Sequence, residues 1–159
     1  MLDPTQVKTY IIRPVCQALG LGGPLAEDLV LGTWLKESVE GSTQFIRQLN
    51  NGPAHGVGMM EEPTAVDITD RFLKLPQNSA LNDVVNVYRN GLDTMDQLYG
   101  NLHLMAAMTR IRYFMVKAAL PAHTAQGMCL YWKKYYNTDL GKGVPDAGTV
   151  ACWTRAMQA

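Results

Sequence analysis

Apolar residues recur at helical spacing along most of this chain, and prolines and glycines cut that pattern into helix-sized lengths. A repeat near 3.6 residues places such positions on one face, so each length reads as a helix with one side to bury. Over residues 7–19, Tyr10, Ile11, Val15 and Leu19 share a face, with Pro14 expected to kink or split the helix and Gly20, Gly22 and Gly23 to stop it. Pro24 suits a first helical turn, and Leu25, Leu29, Trp34 and Leu35 carry a second helix to about Ser38. From 39 to 62 the periodicity disappears, and Gly41, Gly52, Gly56, Gly58 and Pro53 mark irregular chain or short strands. Helical patterning resumes over 63–73, breaks at Pro76 and returns over 79–98 with Leu81, Val85, Leu92 and Leu98, Gly91 being its weak point. Asn101 can cap the most apolar helix, 102–120, which is expected to bury Met105, Met108, Ile111 and Met115 before Pro121 closes it. A helix over 122–136, a turn at Gly141 and Gly143, and a last helix over about 146–157 complete the pattern. Without repeats, charge blocks or low-complexity linkers, residues 1–159 read as one all-α domain with at most a short β-hairpin or irregular Gly-rich segment after the second helix.

Composition narrows the function classes. A chain of 159 residues can bury roughly two thirds of the surface its unfolded form exposes, so it needs no disulfide or metal to build a core. Fourteen basic residues balance fourteen acidic ones, which argues against a general electrostatic grip on nucleic acid or anionic membrane. Cys16, Cys129 and Cys152 are odd in number and far apart, so buried free thiols are expected rather than a disulfide framework or zinc knuckle. No run approaches the roughly 20 apolar residues of a membrane span, and the first residues lack the pattern of a signal peptide. Synthesis and folding in a cytoplasm are therefore expected.

The chemistry concentrates where the second helix ends. A carboxylate at a helix C-terminus meets the negative end of the helix dipole, and partial burial also disfavours its charge, so Glu37 is a candidate for staying protonated near neutral pH. A protonated glutamate in a cleft can give its proton to a glycosidic oxygen, and a Gly-rich turn lets a polysaccharide approach the backbone. Glu61 and Glu62 offer further carboxylates, although acidic residues beside Pro63 and Thr64 are natural in a helix's first turn, and Asp67 and Asp70 fit a helix face. His55, His103 and His123 share no ligand spacing, so no metal is assigned. Tyr131, Trp132, Tyr135 and Tyr136 form two i,i+4 pairs, one expected in the core and one available as a platform for sugar rings.

Glu37-Ser38, a Gly-rich stretch, Gly56-Val57-Gly58-Met59-Met60-Glu61 and a Thr-bearing helix start resemble the soluble lytic transglycosylase and goose-type lysozyme superfamily. Arg47-Gln48-Leu49 followed by Gly52-Pro53-Ala54 looks closest to lysozyme-like proteins of tailed bacteriophages. Asn101-Leu102 and Tyr135-Tyr136-Asn137 are similar to later motifs of the family, so the resemblance covers about 25–143. It implies a lysozyme-like fold, no cofactor, and a single glutamate, Glu37, that protonates the bond between N-acetylmuramic acid and N-acetylglucosamine and then acts as base. Ser38 would orient that acid or contact the sugar, Tyr136 and Asn137 would line the cleft, and Gly56, Met59 and Met60 would shape one wall. The implied partners are peptidoglycan glycan strands and other virion proteins of the tail or ejection apparatus, with the chain packaged in the virion and acting in the bacterial cell wall. Lys133, Lys134 and Lys142 are placed to meet the anionic peptide stems.

Two departures keep a second reading open. Met59 stands where the family usually has Gln, removing a polar contact, and the small stretch after Glu-Ser is here Val39-Glu40-Gly41, bulkier and more acidic. A charged Glu40 near Glu37 would raise its pKa or crowd the cleft. The same pattern therefore also suits a lysozyme-like structural or ejected virion protein without turnover, and, less well, a free endolysin.

Overall fold

The computed structural model describes residues 1–138, 141 and 143–159. Its first helix, α1 (4–18), consists of an α turn Pro4–Val7, a π turn Lys8–Ile12 and an α segment Arg13–Ala18. Pro14 is thus accommodated without a break, because the widened turn before it moves the carbonyls with which its ring would clash. The wider turn also rotates the helix face, leaving Tyr10 exposed while Ile12, Val15, Cys16 and Leu19 are buried.

Helix α2 (Pro24–Ser38) follows with the expected bounds but not as a one-sided stripe. Neighbours cover it on every side, and Glu27 and Asp28 are buried with its apolar residues. Those acids are matched: Arg13 lies 2.9 Å from Glu27, and Asp28 is held by Lys8 at 2.6 Å and His123 at 2.7 Å. Lys8 also donates to the Ala156 carbonyl at 2.9 Å. Buried charges persist only when paired in this way, and here the pairs tie α1 and the 115–124 segment to α2.

Strands β1 (Val39–Glu40) and β2 (Thr43–Gln44) form an antiparallel hairpin around Gly41 and Ser42, with Val39 opposite Gln44 and Glu40 opposite Thr43. A second, tighter hairpin pairs His55 with Met60 in both directions at 2.9 and 3.0 Å. Helix α3 (62–72) runs from Glu62–Val66 into a π turn Asp67–Phe72. The expected helix 79–98 is instead two: α4 (Ser79–Arg89) and α5 (Thr94–Gln97). Asn90 and Gly91 both take left-handed conformations between them, Asp93 starts α5 by accepting from Met95 and Asp96, and Leu92 is left exposed.

Asn101 caps α6 (Leu102–Phe114) through a 3.0 Å bond from the Leu104 N–H. This helix ends six residues earlier than the periodicity implied, since Met115 closes it and residues 116–124 run as irregular chain past Pro121. Thr124, not Ala122, opens α7 (125–137), which joins Ala125–Trp132 to a π turn Lys133–Asn137. Helix α8 (Ala147–Gln158) begins at the Asp146 cap. The architecture is all-α with one two-stranded hairpin.

Helix α8 packs most extensively on α2, and Gly32 explains how closely. A Cβ at Gly32 would lie 2.2 Å from Cδ1 of the buried Trp153, so the indole rests directly on helix backbone. Trp153 in turn meets Trp132 of α7, with centroids 5.5 Å apart. Two apolar clusters result, one joining α1 and α6 to α2, the other joining α7 and α8 to Leu29 and Tyr113. Among the described residues no helix is long and apolar enough to cross a membrane. Cys16, Cys129 and Cys152 are free thiols, the first two buried.

Candidate functional site

The C-terminal end of α2 opens into a cleft of about 780 Å³ between the first hairpin, the 45–61 segment and the end of α7. Glu37 lines it, partly buried, and its Oε1 accepts a 2.7 Å hydrogen bond from the indole N–H of Trp132. Burial pushes this carboxyl up from its ordinary 4.5 to about 7, against the opposing pull of the Trp132 bond and the charge of Lys36. Trp132, 1% exposed, is fixed against Trp153 and has the Lys36 ammonium 5.8 Å from its ring centroid. The sequence expectation of a protonated helix-end acid thus has a physical basis, with desolvation as its largest cause.

Ser38 lines the cleft beside Glu37. Its hydroxyl is buried, donates back to the Trp34 carbonyl at 2.7 Å and accepts from Gln44 at 3.3 Å. Those bonds close the last turn of α2 and anchor β2.

The Gly-rich wall is built by close approach. Gly56, at φ +73°, is buried, and a Cβ there would lie 2.4 Å from the Leu98 carbonyl oxygen and 2.7 Å from Sδ of Met105. It therefore shapes the wall from behind rather than lining it. Met59, at φ +45°, and the buried Met60 do line the cleft. Met59 thus places a non-polar residue, in a left-handed turn, on this wall. The Tyr136 hydroxyl donates to the Gly58 carbonyl at 2.7 Å and pins the turn to α7. Burial and the nearby Glu37 raise the Tyr136 pKa, so the phenol stays protonated.

Asn137 lines the cleft, but its Oδ1 is engaged by Lys133 Nζ at 2.9 Å. Lys133 also donates to the carbonyls of Thr138 at 2.7 Å and Gly141 at 2.8 Å. That cation is a helix-end cap turned inward, not a surface group for peptide stems. Lys134 is exposed and lies 5.2 Å from the Tyr135 ring, and Lys142 falls outside the described residues. Of the two aromatic pairs, Trp132 and Tyr136 reach the cleft, while Tyr131 and Tyr135 do not line it and pack against each other at a tilt, with centroids 4.6 Å apart.

Two charged residues of the cleft escaped sequence reasoning. Arg47 and Arg112 line it, and among the described residues neither has a carboxylate partner. An arginine one turn from the end of the most apolar helix was the available signal for Arg112. Glu61 lines the same cleft from the N-terminus of α3, as Glu40 does from β1, so two further acids share the space with Glu37. Asp67 and Asp70, by contrast, pair along α3 and beyond it with Arg71 and Lys74 on the surface. His55 is a packing residue, stacked on Tyr99 at 4.4 Å with both ring nitrogens engaged, and His103 stacks on Tyr88. Among the described residues no group of His, Cys, Asp or Glu is arranged to hold a metal ion.

No protein-family model, curated protein or solved structure matches the chain.

Proposed function

We propose that this chain is a peptidoglycan-cleaving glycosidase, a lytic transglycosylase or lysozyme acting on the bond between N-acetylmuramic acid and N-acetylglucosamine. One observation carries the reading: a helix-end carboxyl pushed up to about 7 and bonded by an indole opens on a large cleft. A general acid works best when its pKa lies near the operating pH. Protonated Glu37 gives its proton to the glycosidic oxygen, the C1–O bond breaks, and the bonding pair leaves with that oxygen. The carboxylate so formed takes a proton from the attacking hydroxyl as the new C1–O bond forms. Water as the attacking group gives a reducing end; the muramoyl 6-hydroxyl gives a 1,6-anhydro product. The role as a virion component that opens the wall locally during DNA entry rests on the phage-like Arg47 to Glu61 motifs.

Mass spectrometry of products from purified peptidoglycan tests this. Anhydro-muropeptides or new reducing ends from wild type, and neither from a folded Glu37→Gln, are expected. A second reading, a non-hydrolytic virion component, is favoured by one feature of the cleft, the thioether of Met59 on its wall. Products absent from folded wild type would select it, together with stoichiometric presence in purified particles.

A further inference from the structure

Trp132 is separated from Glu37 by 95 residues in sequence, yet its indole N–H donates a hydrogen bond to that carboxyl. An indole N–H only donates, so the oxygen it meets must accept. The carbonyl oxygen of a neutral carboxyl group is a better acceptor than its hydroxyl oxygen. A donor fixed 2.7 Å from Oε1 therefore sorts the two oxygens chemically, with C=O at Oε1 and O–H at Oε2.

The donor has little freedom to turn away. Trp132 is 1% exposed and bears on Trp153, which sits on Gly32. On its other edge Gly143 comes so near that a Cβ there would lie 2.5 Å from Cη2. Helix α8 thus braces an indole on α7, which in turn orients an acid at the end of α2.

We propose that Trp132 is a positioning residue that confines the exchangeable proton of Glu37 to Oε2, the oxygen left for a ligand in the cleft. The proton is then delivered from one atom, and the same Oε2 recovers a proton from the attacking hydroxyl while Oε1 stays bonded throughout. The role in turnover rests on the reading of Glu37 as acid and base; the pairing is measurable without turnover.

The test follows the full chain by NMR, using the Trp132 indole N–H resonance and the Glu37 side-chain carboxyl carbon across the neutral range. Both are expected to titrate with one midpoint near 7, and the indole dependence should vanish in Glu37→Gln. Replacing Trp132 by benzothienylalanine keeps the bicyclic shape and removes the donor. That replacement should raise the Glu37 midpoint by about one pH unit, since a bond to the charged form is lost. On peptidoglycan the alkaline limb of the rate profile should move by the same amount, with kcat about tenfold lower and KM nearly unchanged. An indole resonance that stays flat, or a Glu37 midpoint unmoved by the isostere, overturns the proposal. Coupled titration in a protein that releases no muropeptides upholds the pairing and overturns the glycosidase reading instead.

Discussion

Replacing Glu37 by Gln should stabilise the fold, and by an amount that depends on pH. Glu37 ionises at about 7 in the folded chain against an ordinary 4.5. A group whose folded pKa is raised favours the folded state below the unfolded pKa, and that contribution is lost as pH rises through the folded value. At about 1.4 kcal/mol per pH unit, the gap corresponds to about 3 kcal/mol withdrawn between 4.5 and 7. Gln has nearly the shape of the protonated acid, keeps an acceptor for the Trp132 N–H and does not ionise. The two proteins should therefore unfold at similar temperatures near pH 4.5. At pH values well above 7 the variant should melt about 6–12 °C higher, for a domain of this size. Thermal unfolding followed by circular dichroism at matched ionic strength measures the difference, in which all other titrating groups cancel. A gap that stays constant across this range would mean that the folded carboxyl is solvated. The case for a proton donor at neutral pH would fall with it.

Other consequences of the packing can be checked independently. Gly32→Ala places a methyl 2.2 Å from the Trp153 ring; after the gain in helix propensity, a net loss of about 2 kcal/mol should appear in denaturant unfolding. Gly56→Ala combines a left-handed backbone with a 2.4 Å contact to the Leu98 carbonyl, so it should cost about 2–4 kcal/mol and lower peptidoglycan turnover by displacing the Met59 wall. Asp28→Ala strands Lys8 in the interior, where it is 7% exposed; a loss of about 3–5 kcal/mol in chemical denaturation is expected. With intact Glu37, muropeptide release should fall as pH rises past about 7, because the donor must be protonated for the first step; a rate still rising there would contradict Glu37 as the acid.

Local chemistry was legible in the sequence wherever one residue decides the backbone. Pro24 starts a helix, Asn101 caps one, and glycine density from 41 to 58 marks the non-helical walls of the cleft; each lies where expected. Periodicity misled where it continued across a local stop. Leu92 fits the apolar repeat of α4, but Asn90 and Gly91 turn left-handed and terminate the helix first. The buried faces of α2 were illegible for the opposite reason: Glu27 and Asp28 can be buried only because Lys8, Arg13 and His123, from other segments, bond them.

The same distinction holds inside the candidate site. Glu37 could be singled out because a helix end and partial burial act on it locally, and both disfavour its charge. What orients it is not local: the bond from Trp132, which lowers its pKa against the burial that raises it, arrives from α7. Spacing could show only that Trp132 pairs with Tyr136 at i,i+4, and it left open whether that pair or Tyr131 with Tyr135 would face a cleft. The fold brings the Trp132 pair to the cleft and gives its indole a carboxyl to bond. The indole that borders the cleft is also the donor that holds Glu37, so truncating Trp132 removes that bond and changes the cleft shape together. Separating those effects requires an isostere rather than a smaller side chain.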